Sequence, residues 1–311
     1  MKIAITGGSG YVGSCLIKKL EKEAWVDSIL SLDINPPTAN LHQKTTYRVH
    51  DLVNPFDDLM TKFKPDVLIH LSFVLKPTRN REKTEKVNLQ GTLNALSAAE
   101  ASKAKQFIYF SSTTIYGAYP DNPIWLNENS LIRPKSRFQY AVDKAKSEFL
   151  IEKFASNNRS LKILILRGCP VMGPNANNFI SRAFQKPLLI GLRNYDPPMQ
   201  FIHEDDVVNL MEFAMLNEIS GTYNIAGEGT ITWSEMAKLI RAKMISLPAF
   251  LLSLLTEISW QTRIQSESNS SGLDFIKYRW TASTQKLKET LNYQFIHSSH
   301  SAWQTFCDKK T

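Results

Sequence analysis

The stretch Ile3-Ala4-Ile5-Thr6-Gly7-Gly8-Ser9-Gly10-Tyr11-Val12-Gly13 decides the fold. Its apolar start reads as a strand, and Cys15-Leu16-Ile17-Lys18-Lys19-Leu20 beyond it has the apolar spacing of a helix. A glycine turn between strand and helix is the context in which this motif binds a dinucleotide. Glycine lets the backbone turn sharply and approach the pyrophosphate, whose charge then lies at the helix amino terminus. Gly7, Gly10, Tyr11, Val12 and Gly13 are therefore the expected phosphate cradle. Asp33 closes the next apolar run, Ile29-Leu30-Ser31-Leu32, where an acid accepts hydrogen bonds from the adenosine ribose. A carboxylate also repels a 2′-phosphate, and no Arg or Lys follows Asp33 before Lys44, so NAD is expected over NADP.

Outward from this turn, strand and helix signals alternate. Thr46-Tyr47-Arg48-Val49 and Asp66-Val67-Leu68-Ile69-His70-Leu71 read as strands. A helical pattern then covers Glu82 to Ala101, with Val87, Leu89, Leu93, Leu96 and Ala99 on its apolar side. Phe107-Ile108-Tyr109-Phe110-Ser111 is the next strand, 138–156 a second long helix, and Leu161 to Leu166 a further strand. Apolar strands alternating with helices predict an α/β fold: a Rossmann-type, doubly wound parallel sheet covered on both faces. Past Gly173-Pro174 the pattern is interrupted by Pro187, Gly191, Pro197 and Pro198. A helix over 204–216 and a strand at 222–225 predict a return to the sheet, with mostly helices after Gly229. The expected division is a dinucleotide-binding domain of 1–170, rejoined by 200–228, and a smaller substrate lobe of 171–199 and 229–311. Gln265 to Gly272, rich in serine, reads as a loop.

A chain of 311 residues suits one such domain with an appended lobe. The net charge of +8 comes without a basic run. It suits an anionic small-molecule substrate, and no aromatic-plus-basic stripe points to nucleic acid. Cys15, Cys169 and Cys307 are too few and too scattered for a disulfide framework or a metal site. With the first strand at Lys2, no signal peptide is expected and the cytoplasm is the expected location. Leu247 to Leu255 is strongly apolar, but Glu257 ends it short of a membrane span, so a buried or lid helix is expected, with a surface membrane anchor or subunit contact as the alternative.

Ser111-Ser112-Thr113 ends a central strand, and Tyr140 and Lys144 share one face of the helix that follows. A phenol with a pKa near 10 is a poor base at neutral pH, but a nearby ammonium and a nicotinamide cation favour its phenolate. The trio reads as base (Tyr140), its electrostatic partner (Lys144) and a hydroxyl that orients the reacting oxygen (Ser112). His70, ending a buried strand, reads as packed rather than catalytic. His203-Glu204-Asp205-Asp206 reads as a charged helix start rather than a metal cluster, since consecutive acids on a helix diverge. Arg167 is either a buried structural partner or a substrate-side cation.

Together these residues resemble the extended short-chain dehydrogenase/reductases, in the NAD-dependent epimerase/dehydratase branch that includes UDP-glucose 4-epimerase-like proteins. Thr6 to Gly13 is similar to that branch's glycine motif, and Asn88-Leu89-Gln90-Gly91-Thr92-Leu93-Asn94 to its central helix. Ser111 to Gly117, Phe201 to Val207 and Gly221 to Gly227 resemble further landmarks. The resemblance implies that Ser112, Tyr140 and Lys144 are catalytic, and that Tyr140 and Lys144 also touch the cofactor. It further implies that Asp51 and Leu52 contact the adenine, and that Leu71, Ser72, Phe73 and Asn88 line the cofactor. It implies a homodimer formed by the two long helices, and a nucleotide-sugar substrate whose secondary alcohol is oxidised. Two departures bear on the reaction. Thr113 and Thr114 stand where sugar dehydratases carry acids, which disfavours dehydration. Arg167-Gly168-Cys169-Pro170 lacks the Asn with which epimerases contact the diphosphate. The alternatives are a sterol-type or other small-molecule alcohol dehydrogenase on the same fold, or a non-catalytic NAD-binding sensor.

Overall fold

Strand β1 (Lys2–Thr6) forms where four consecutive residues can be buried, and helix α1 (Tyr11–Leu20) begins as soon as the glycine turn ends. This is a computed structural model, and it describes residues 1–37, 42–75, 78–186, 188–265 and 269–309. Five more strands follow β1 before residue 170: β2 (Ser28–Asp33), β3 (Thr45–Val49), β4 (Val67–His70), β5 (Gln106–Ser112) and β6 (Lys162–Gly168). The last is β7 (Gly221–Ile225), the expected return to the sheet. All pairings are parallel, in the order β7-β6-β5-β4-β1-β2-β3. The order reverses between β1 and β4, and in such sheets ligands bind at that switch point, outside the carboxyl ends of the strands. The inner strands are apolar throughout because helices cover both faces.

One face packs against α1 and the helix α5 (Glu204–Leu216), through Leu16, Ile17, Leu20, Val207 and Met211. The other packs against α2 (Asp57–Phe63), α3 (Arg81–Ala101) and α4 (Gln139–Asn157), through Met60, Ala95, Leu96 and Ile151. A third core forms around Trp303, which is fully buried against Phe184, Phe201 and Phe306. Replacing a buried indole of this kind by alanine costs ~3–5 kcal/mol.

Three expectations need correction. The buried side of α3 includes Asn88, Thr92 and Asn94, while Leu93 is 39% exposed and Val87 and Leu89 are only half-buried. The buried polar side chains all have partners: the Asn94 amide donates to the Leu52 and Val53 carbonyls at 2.8 and 3.0 Å. Secondly, the apolar 247–255 segment leads into helix α6 (Ala249–Gln261), which is not buried: only Leu252 is, and Phe250 is 76% exposed. Thirdly, within the expected loop 265–272, Ser270 already begins a 3₁₀ turn that runs to Ile276; residues 266–268, like Pro187, lie outside the described residues. Among the described residues no helix is long and apolar enough to cross a membrane.

Candidate active site

At the carboxyl end of β1 the glycine turn is forced by contact. Gly7 has φ +78°, and a Cβ there would lie 2.6 Å from the Ser72 amide nitrogen; at Gly13 one would lie 2.3 Å from the Gly7 carbonyl oxygen. No larger residue fits either position. Gly10 caps α1 without a side chain, so the first N–H groups of the helix are left to an anion. Asp33 ends β2 beside this turn; its carboxylate accepts the Ser9 N–H at 3.1 Å and the Asn35 N–H at 3.0 Å. A cavity of about 230 Å³ opens there, lined by Ser9, Asp33, Tyr47 and Arg48 among others. Turn, helix start and acid fit a dinucleotide.

Arg48 corrects the premise that no cation stands near Asp33. It arrives on the neighbouring strand β3, in register with Leu32, so counting along the chain from Asp33 could not find it. Tyr11 also differs from expectation in its side chain. Its hydroxyl donates to Glu204, which also accepts the Asn175 N–H at 3.1 Å. The ring therefore ties the glycine turn to α5, and only its backbone is left for phosphate. Neither Asp51 nor Leu52 lines the cavity beside Asp33. Asp51 is exposed and accepts the Val53 N–H at 3.1 Å, while the Leu52 side chain is buried in the core beneath α3.

Beyond β4, Leu71 donates its N–H to the Thr6 carbonyl at 3.0 Å, and Ser72 abuts Gly7. Asn88 fixes the next residues: its carbonyl oxygen accepts the Val74 N–H and its amide donates to Asp143 on α4, both at 2.8 Å. Phe73 is thereby placed edge-on to Tyr140, with ring centroids 5.7 Å apart. Its ring also faces the Lys144 ammonium, 3.8 Å from the centroid.

Ser112, Tyr140 and Lys144 converge where β5 ends against the start of α4. Ser112 is buried, and its oxygen accepts the Thr114 N–H at 3.2 Å and the Thr114 hydroxyl at 2.9 Å, which leaves its own proton to donate. Burial pushes the Tyr140 phenol up to about 12, with the Ser112 hydroxyl pulling the other way. Lys144 is also buried; its ammonium donates to the Phe110 carbonyl at 2.6 Å, and burial lowers its pKa to about 7. The lysine thus does not by itself bring the phenol towards neutrality. Positive charge entering the cleft would favour the phenolate.

His70 is packed as expected. Its ring meets the hydroxyls of Thr6 at 2.7 Å and Thr92 at 3.2 Å, and burial holds it neutral, with its pKa lowered to about 3. Arg167 proves to be a structural partner. It pairs with Glu148 of α4 at 2.7 Å, both side chains being buried, and donates to the Tyr116 hydroxyl and the Glu128 carbonyl, each at 2.9 Å. His203 caps α5 by accepting the Asp205 N–H at 3.1 Å, and its other ring nitrogen meets Thr305 at 3.2 Å. Asp205 and His297 lie near enough for the three to share a metal, but both nitrogens of His203 are already engaged.

A second cavity, of about 340 Å³, opens beside Tyr140. Arg79, Arg81, Arg137 and Trp260 line it, and sequence reasoning singled out none of them. The available signal was three arginines at the starts of two site elements, Arg79 before α3, Arg81 as its first residue, and Arg137 before α4.

A family model described as the NAD dependent epimerase/dehydratase family matches residues 3–226. An uncharacterized protein of Mycobacterium tuberculosis is 20% identical over 299 residues, covering 94% of this chain and 79% of its own length. UDP-glucuronic acid decarboxylase 1 of Arabidopsis thaliana is 25% identical over 263 residues, 78% of this chain and 58% of that protein. Among solved structures, UDP-glucose 4-epimerase from Thermotoga maritima superposes with a TM-score of 0.76 at 20% identity, covering 100% of this chain and 98% of the other. MoeE5 in complex with UDP-glucuronic acid and NAD superposes with a TM-score of 0.78 at 18% identity, over 100% and 99%. The glycine turn, the acid after β2 and the matched span together place this chain in the NAD-dependent epimerase/dehydratase family of enzymes, with NAD as its cofactor.

Proposed function

We propose that the protein oxidises a secondary alcohol of a nucleotide-linked sugar with Tyr140 as general base, and that it acts as an epimerase. The observation that carries this is the approach of the Ser112 hydroxyl and the Lys144 ammonium to Tyr140, the ammonium 6.0 Å from its ring centroid, at the carboxyl end of β5. Tyr140 takes the proton of the reacting hydroxyl and later returns it. Ser112, whose oxygen accepts from Thr114, donates its own proton to the reacting oxygen and orients it. Lys144 holds the nicotinamide ribose and places its charge beside the phenol. The bound nicotinamide supplies the hydride-accepting carbon. Gly7, Gly10 and Gly13, with the backbone of Tyr11 and Val12, hold the pyrophosphate, and Asp33 holds the adenosine ribose. NAD remains the preferred form because the Asp33 carboxylate opposes a 2′-phosphate.

Residues 1–170 with 200–228 form the cofactor domain in this reading, and 171–199 with 229–311 form the substrate lobe. Thr113 and Thr114 carry no acid for dehydration. A second reading, net oxidation of a sterol-type or other small alcohol, is favoured by the exposed apolar helix α6 and by the absence of an epimerase-type Asn from Arg167-Gly168-Cys169-Pro170. Product analysis separates the two. Nuclear magnetic resonance of UDP-glucose and UDP-glucuronic acid incubated with the protein and NAD should show a ring epimer without accumulating NADH. Stoichiometric NADH and a released ketone would overturn the epimerase reading.

A further inference from the structure

The cavity beside Tyr140 is cationic in a way that proton transfer does not require. Of its three arginines, Arg137 is neutralised by Glu257 at 2.7 Å. Arg79 and Arg81 have no carboxylate partner among the described residues. Each is held by backbone carbonyls through one nitrogen only: Arg79 donates to Trp260 and Gln261, and Arg81 to Ser136 at 3.2 Å. The Arg79 guanidinium also stacks over the Trp260 ring, 5.6 Å from its centroid. These contacts orient the two groups without neutralising them. A guanidinium offers five N–H donors in a planar fork that matches a carboxylate or phosphate, so most of that capacity is left for a ligand. The remaining wall is mixed, with Leu75, Phe138 and Trp260 beside Thr78, Gln139 and Gln261.

Size narrows the ligand further. At about 340 Å³ the cavity lies at the small end of ligand pockets. It suits one ring with a substituent rather than a whole nucleoside diphosphate sugar. Tyr140 and the arginines line the same cavity, so an anion held by them shares that space with the reacting hydroxyl. Resting on Tyr140 as the base, we propose that the reacting unit of the substrate itself carries an oxyanion, a carboxylate or a phosphate, gripped by Arg79 and Arg81.

Calorimetry on the full-length, NAD-loaded protein tests this with two ligand pairs. UDP-glucuronic acid against UDP-glucose adds a carboxylate to the ring, and glucose 6-phosphate against glucose adds a phosphate. The acid-bearing member of at least one pair should bind the wild type about 10- to 100-fold more tightly, as charged hydrogen bonds imply. The pair that shows the gap identifies the oxyanion. In the Arg79→Gln/Arg81→Gln variant the gap should close, while UDP-glucose affinity changes by less than about threefold, the scale of an ordinary surface substitution. Both arginines are exposed, so folding should survive, and unchanged NAD affinity would confirm it. If the double variant does not fold, Arg81→Lys, which keeps the charge and loses the fork, should narrow the gap. Four results would overturn the proposal: equal affinities in the wild type, a gap that survives in the variants, equal loss for both nucleotide sugars, or no saturable binding of an acid-bearing probe. Equal loss would mean that the arginines read the diphosphate. Tyr140→Phe should keep the acid preference. Full turnover in that variant would sink the base assignment and leave the anion site standing.

Discussion

His70 shows how much a single side chain contributes here without touching substrate. It ends β4 between two threonine hydroxyls and is held neutral by burial, with a pKa of about 3 against an ordinary 6.5. The unfolded chain therefore takes up this proton first as pH falls. The stability that the neutral ring provides is complete above its unfolded pKa and is lost as pH drops towards the folded one. Urea unfolding followed from about pH 7 to about pH 4 should show the wild type losing more stability than His70→Asn, by of order 2–3 kcal/mol at most. Parallel curves would show that His70 is not the titrating group. At this scale the sequence was readable where the backbone dictates the residue, as at Gly7 and Gly13, where a Cβ cannot fit. It was also readable where a strand end dictates burial, as at His70. Arg167 could not be decided, because its partner Glu148 lies on another element and only the fold brings the two to 2.7 Å. Arg48 was missed for the same reason.

Among the elements, strands and helices were legible from apolar periodicity, and β7 was correctly expected to rejoin the sheet. The phase of α3 was not. Asn88, Thr92 and Asn94 are buried because each has a hydrogen-bond partner, on α4, on α3 itself and at Leu52, and such residues invert a hydrophobic pattern that counts only apolar side chains. The outcome leaves Leu93 39% exposed on α3 and Phe149 65% exposed on α4, two helices that pack side by side. Apolar residues on outward faces of paired helices are what a four-helix dimer interface needs. We expect a homodimer joined through these faces. Light scattering at micromolar concentration should give twice the chain mass, and Phe149→Asp should halve it. A wild-type monomer under those conditions would contradict the assignment.

Across the whole molecule, the cleft draws on distant parts of the chain. Ser9 of the glycine turn and Asp33 line one cavity, and Tyr140, Arg79, Arg81 and Trp260 line another, with Lys144 6.0 Å from the Tyr140 ring centroid. The cofactor end could be read from the sequence because its chemistry is local to one strand–turn–helix unit. The cavity beside Tyr140 could not, because its arginines and Trp260 come from the starts of α3 and α4 and the end of α6, which only the fold assembles. The central claim is that Tyr140 carries the proton. The most direct test is turnover of Tyr140→Phe on a substrate that the wild type converts, with NAD affinity measured alongside. The change removes one hydroxyl and leaves the ring packed against Phe73 and Phe138. Loss of the general base predicts a rate lower by about 10²- to 10⁴-fold with NAD binding unchanged. Turnover close to the wild-type rate, with NAD still bound, would contradict the account.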